Sequence, residues 1–347
     1  MKHGVILAII LLQSLSSLAQ VGGQSVYSFL NLPNSSRVLA LGSSAIAFRD
    51  DDVNMAYQNP GLINPLMHKR LSLTFVDYFA GINFGNVAYA MNMKGKGTAA
   101  VSLQYINYGT FLRTDPTGYI EGEFTAGEYC LNTAYARPID SMFTIGLNLK
   151  TISSSLENYQ SFGMALDAGV SWVSRDKLTQ GGLVLKNMGY QFFTYTPGNR
   201  ERLPFEVQLG FSKKLEHVPL RFSFVAHNLQ QPDLTFRDPQ RPEITIDPLT
   251  GDTTENKIGL GNKILRHAIL GAELNLTKNL IFRLGYNYQR RQEMKVESRL
   301  KMVGFSWGLD IKIYKFSIAY SRSAYHLAGS PNMFTLSAKL SEFYRKQ

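Results

Sequence analysis

From Leu71 onward the chain alternates with a period of two. Leu71, Leu73 and Phe75 interleave with Ser72 and Thr74, and Phe143, Ile145, Leu147 and Leu149 with Thr144, Gly146, Asn148 and Lys150. Toward the carboxyl end Val303, Phe305, Trp307, Leu309 and Ile311 interleave with Gly304, Ser306, Gly308 and Asp310. Successive side chains on a strand point to opposite faces, so each run predicts a strand with one apolar and one polar face. About fourteen such segments follow one another, the first near 70–78 and the last near 333–341.

A soluble sandwich would show the same period, and three further features separate the two. Aromatic residues make up 12% of the chain and fall near segment ends, at Tyr78, Tyr108, Tyr135, Trp172, Tyr288, Tyr314 and Tyr320, as interfacial girdles require. The polar face mixes Ser, Thr, Asn and Gly with single charges, which suits a lumen; Lys150, Asp167, Glu273, Arg283 and Asp310 are the candidates to face it. Connections alternate between short turns, such as Lys94 to Gly97, and longer polar loops, such as 110–123, 152–161 and 188–203. The expected fold is all-β: a transmembrane antiparallel barrel of about 14 strands over residues 69–347, with both ends in the periplasm and a long outer loop near 230–265. Glu243 to Ile246 reads as a small external strand within that loop.

Residues 1–19 read as an export signal: Lys2, an apolar core from Val5 to Leu12, then Ser17-Leu18-Ala19. That core is too short to span a membrane as a helix. Cys130 is the only cysteine, so no internal disulfide is available. The 36 Lys and Arg against 26 Asp and Glu are scattered, which argues against nucleic acid and for an anionic surface such as lipopolysaccharide or outer-membrane lipid.

One stretch alternates with nothing. Asp50, Asp51 and Asp52, then Asn54, Asn59 and Pro60, run on to Pro65 and cannot form a membrane strand. Residues 20–68 are therefore expected to fold as a plug in the lumen. The three aspartates lack the spacing of a calcium loop, so pairing with lumen cations such as Arg283 or Lys150 is preferred to a metal site. The histidines form no cluster, and His227-Asn228 has no serine assigned to it, so no enzyme, cofactor or metal is expected.

An ordered set of motifs carries a family resemblance. Gly22-Gly23-Gln24, Tyr27-Ser28-Phe29-Leu30-Asn31-Leu32-Pro33, Ala40-Leu41-Gly42, Asp50 to Asn54, Asn59-Pro60, Leu185 to Gly189 and Leu203 to Glu206 together resemble the PorQ-like outer-membrane proteins of the type IX secretion system, within the wider FadL-like barrels. The resemblance implies a plugged fourteen-stranded barrel at the cell surface. It also implies a non-enzymatic anchor for a PorZ-like protein, near PorU- and PorV-like components and lipopolysaccharide. The other function weighed is a FadL-like transporter of hydrophobic solutes, which would want an apolar pocket in the lumen; an open porin ranks third.

Overall fold

The computed structural model describes residues 25–78, 81–235, 244–246, 253–255, 258–294, 302–324 and 330–343. The expected export signal, the motif at 22–24 and Glu243 lie outside them. Among the described residues sixteen strands follow in chain order: β1 (Arg70–Asp77), β2 (Asn83–Met93), β3 (Gly97–Thr114), β4 (Ile120–Pro138), β5 (Phe143–Leu156), β6 (Tyr159–Val173), β7 (Thr179–Phe193), β8 (Glu206–Lys214), β9 (Leu220–Ala226), β10 (Ile244–Ile246), β11 (Thr253–Glu255), β12 (Ala268–Thr277), β13 (Leu280–Asn287), β14 (Phe305–Ile313), β15 (Phe316–Ser323) and β16 (Asn332–Lys339). Fourteen of them close a barrel of antiparallel neighbours, sealed where β1 meets β16 from Arg70 against Lys339 to Asp77 against Asn332. The other two, β10 and β11, pair with each other in the longest connection.

Burial decides between sandwich and membrane barrel. Along β5 Phe143, Ile145, Leu147 and Leu149 are exposed, while Thr144, Asn148 and Lys150 have no exposed surface. The same inversion holds on β16, with Phe334 and Leu336 outside and Thr335 inside. A soluble protein would hide the first set and wet the second. Here the apolar face needs lipid, and the closed ladder leaves no strand edge in it. The chain is a multi-pass barrel of the outer-membrane type, with its short turns and both barrel ends on the periplasmic side and its long connections at the cell surface.

Two expectations change. Sequence periodicity ends the third and fourth strands near 109 and 124, yet β3 and β4 run on to Thr114 and from Ile120, leaving only a tight turn in which the Asp115 carboxylate accepts from the amides of Thr117 and Tyr119. Likewise β5 and β6 meet at a two-residue turn, Glu157-Asn158. Beyond the bilayer both faces of β3 and β4 are exposed, and both faces of β5 and β6 carry polar side chains, Ser154 and Ser161 being buried, so apolar alternation disappears while ladder pairing continues. The girdle reading also needs amending. Tyr78 and Tyr108 pack against an apolar cluster inside the barrel, and the Tyr108 hydroxyl donates to Glu128 at 2.6 Å.

Residues 25–68 occupy the lumen. Their turns are set by local chemistry: Ser35 caps α1 (Ser36–Ala40), and Asn59 and Asn64 each precede a proline and accept from the amide two residues on, at Gly61 and Leu66. A second short helix, α2 (Met55–Gln58), lies between them. Facing this segment, the wall carries glycines. A methyl group at Gly146 would overlap the Pro60 carbonyl, at Gly182 that of Ile46, and at Gly285 the amide of Gly42. These glycines let the plug backbone lie directly on the strands.

Candidate functional site

The plugged lumen has three levels. The level nearest the periplasm is ionic and centres on Arg37, at the start of α1. Its Nε donates to Glu273 at 2.8 Å and its Nη2 to Asp50 at 2.7 Å, and Asp52 lies 3.5 Å from Nη1. Glu273, on β12, also accepts from Arg283 on β13 at 2.8 Å; Arg283 continues to Asp310 on β14 at 3.3 Å. Arg221 on β9 reaches both Asp50 and Glu273, at 3.5 and 3.6 Å. The guanidinium groups of Arg37 and Arg221 lie 5.0 and 5.4 Å from the centre of the Phe48 ring. Plug and wall are thus joined by a chain of fixed charges, which we term the latch.

Burial acts to raise the Asp50 carboxyl, but the charge and hydrogen bonds of Arg37, with Arg221, outweigh it and hold the group below the ordinary carboxylate range. Asp52 goes the other way. Its burial dominates, and the neighbouring Asp50 charge adds to it. Asp51 does not join the latch: it is 55% exposed at the side chain and pairs with Arg70. Asn54 donates to Asp52 at 2.9 Å and to Ser72 on β1 at 2.8 Å, while Asn59 donates to the carbonyls of Ile46 and Val170, binding the plug to itself and to β6. Pro60 lies against Gly146 and Gly169.

The middle level is a second buried network. Lys150 on β5 sits 2.8 Å from Asp167 on β6 and donates to Asn187 on β7 at 2.7 Å, with its ammonium 4.6 Å from the centre of the Tyr57 ring. Asp167 accepts further bonds from Asn148 and from the Asn187 amide. Asn187 stands at a register shift with φ +57°, and its amide group donates to Asn31 of the plug at 3.1 Å. Lys150 and Asp167 are therefore brought together, away from the group formed by Glu273, Arg283 and Asp310.

The outer level is apolar. Val76, Phe84, Ile106, Cys130, Ile152 and Met333 point inward from the wall, fully buried or nearly so, and Val26, Tyr27, Phe29 and Leu30 of the plug fill the space between them. This differs from the expected polar lumen. Alternation cannot reveal a wall that is apolar on both faces, as β1 is where Phe75 faces lipid and Val76 the interior. The filling segment, the hook, has few polar ties. The Val26 amide donates to the Arg202 carbonyl at 3.0 Å, Gln104 donates to the Phe29 carbonyl at 3.2 Å, and Tyr57 to that of Leu30 at 2.6 Å. The Tyr27 hydroxyl meets that of Ser161.

Sequence reasoning missed Arg37, Arg221, Tyr57 and Asn187. Arg37 is a lone cation entering the apolar run Val38 to Leu41, Tyr57 lies in the non-alternating stretch and Asn187 in the motif Leu185 to Gly189, but none of these settings names a partner; Arg221 left no trace. Below the latch a polar cavity of about 320 Å³ opens to the periplasm, its rim carrying Arg70, Lys214, Lys278, Lys312, Lys315 and Lys339. Chemically the arrangement holds the plug against the wall. His227 contacts Asn228 at 3.0 Å and Glu206 at 3.7 Å, but its Nε2 has no hydrogen-bond partner, so no nucleophile is poised on it. Among the described residues no group of three or more His, Cys, Asp or Glu side chains converges as a metal site would require.

Neither protein-family models nor curated protein sequences match the chain. Solved structures do. The barrel is similar to the toluene transporter TbuX of Ralstonia pickettii, with a TM-score of 0.53 at 11% identity over 89% of this chain and 99% of that one. It is similar to the toluene transporter TodX of Pseudomonas putida, with 0.51 at 10% identity over 88% and 96%. A TodX variant described as a monoaromatic hydrocarbon channel gives 0.52 at 11% identity over 89% and 97%. At such identities the likeness is one of fold. It corrects the type IX reading: the solved barrels it resembles include toluene transporters, and neither sequence comparison returns a PorQ-like protein or any other attachment component. The PorZ-, PorU- and PorV-like partners that the reading implied rested on the resemblance alone.

Proposed function

We propose that the chain is a non-enzymatic outer-membrane channel that takes up small apolar solutes. The observation that carries this reading is the apolar outer level, where Val76, Phe84, Ile106, Ile152 and Met333 surround a hook of the chain's own apolar side chains. Such a compartment is costly to wet and favourable for a hydrocarbon to enter once the hook leaves. Phe29 and Leu30 occupy the volume that the solute would take. The likeness to toluene transporters supports the same chemistry.

The test is initial uptake of labelled toluene by intact cells with and without the chain, where the lipopolysaccharide leaflet is the barrier to be bypassed. Cells carrying it are expected to take up toluene faster; equal rates would refute the proposal. Ile152→Asp places a carboxylate in the apolar level and is expected to cut uptake by about tenfold while the barrel still inserts, because an unpaired charge there loses its hydration.

A further inference from the structure

The outer wall of the barrel is not uniform where it closes. After β16 the chain makes a tight turn, Leu340–Glu342, fixed by the Leu340 amide donating to the Lys69 carbonyl at 2.7 Å. The turn sets Phe343 on the outside of the barrel, its ring 5.4 Å from that of Phe316 on β15. Ala338 lies between Leu71 on β1 and Phe316 on β15, its partners on the two sides. A small side chain flanked by large ones leaves a notch, here about 290 Å³, walled by Leu71, Leu73, Phe316, Leu336 and Phe343.

The notch is at the periplasmic end of the lipid-facing belt, and a cation stands beside it. Lys315, in the short turn between β14 and β15, holds its ammonium 4.9 Å from the centres of the Phe343 and Tyr314 rings. No ion pair among the described residues includes it. An apolar groove capped by an unpaired cation, at the level where the hydrocarbon core gives way to headgroups, matches an amphiphile with an apolar tail and an anionic head. On this side of the membrane that amphiphile is a phospholipid.

We infer that this notch is a binding site for one anionic phospholipid of the periplasmic leaflet, with an acyl chain over Ala338 and the phosphate on Lys315. The groove lies outside the packed lumen, although Lys315 also stands on the rim of the periplasmic cavity.

Native mass spectrometry of the full chain, released from mild detergent with added phosphatidylglycerol or phosphatidylcholine, tests it. The wild type is expected to retain one phosphatidylglycerol in preference to phosphatidylcholine. Ala338→Phe fills the notch and is expected to abolish retention of both. Lys315→Gln keeps the groove and is expected to lose only the preference for the anionic lipid. Equal retention of the two lipids by the wild type, retention unchanged in Ala338→Phe, or a dimer mass in place of the lipid adduct would each overturn the inference. Both substitutions lie outside the packed lumen, and heat-modified gel migration reports whether each variant is a folded barrel.

Discussion

Replacing Arg37 by alanine is expected to unfasten the plug from the barrel. Arg37 is 8% exposed and is the one latch cation contributed by the plug, facing Asp50, Asp52 and Glu273 at once. Removing one member of a buried ion pair leaves its partners charged in a poorly hydrated place, a loss of about 3–5 kcal/mol in fully buried cases. The expected cost here is about 3 kcal/mol, at the low end of that range, because Arg221 and Arg283 still face the same acids. The consequence is functional as well as energetic. In planar bilayers the wild type is expected to show no steady ion conductance, whereas Arg37→Ala shows frequent open events as the plug leaves the wall. Arg37→Lys keeps the charge without the fork that grips two carboxylates, and is expected to fall between them. A silent Arg37→Ala channel would mean that the latch is not what holds the seal.

The second large effect is steric. Gly182 on β7 faces the Ile46 carbonyl so closely that valine cannot be accommodated there by any rotamer, since backbone opposes backbone. Overpacking commonly costs about 1–3 kcal/mol even where side chains can adjust, and here they cannot. Gly182→Val is expected to leave the barrel inserted but to lift the segment around Ile46 off the wall. A cysteine placed at Ala47, which is buried, is expected to resist a water-soluble thiol reagent in the parent and to react readily in the Gly182→Val background. Cys130, buried in the outer level, serves as the internal reference. Unchanged labelling would show that the plug tolerates the added bulk and is not seated on the glycines.

Both expectations bear on how far the residues alone could lead. The strands were legible wherever lipid lies on one side and polar side chains on the other, as along β5 and β14, because that contrast is what a period of two records. It faded at the outer ends of β3 and β4, which are exposed on both faces, and of β5 and β6, which carry polar side chains on both. It also failed at Val76 and Ile152, where the interior is apolar as well. That the Asp50 to Pro65 stretch is no strand was readable from proline and charge. Its ion partners were not, since Arg37 meets Glu273 across most of the chain and only the closed barrel brings them together. The same reasoning explains why the motif resemblance pointed to the wrong system. Asn59-Pro60 and Asn64-Pro65 make turns, and the aspartates form ion pairs; these are requirements for packing a chain inside a barrel, whatever the barrel handles.

The central claim is that the hook gates an apolar path in the outer level, and a reversible tether tests it most directly. Ser25 and Arg202 are bridge partners at the base of the hook, so a cysteine at each position can form a disulfide there. Toluene uptake by cells carrying the Ser25→Cys, Arg202→Cys chain is predicted to be near background when oxidised and to return to the parental rate on reduction. Equal uptake in the two states, at the parental rate, would contradict the account, because the solute would then be passing a hook that never moved.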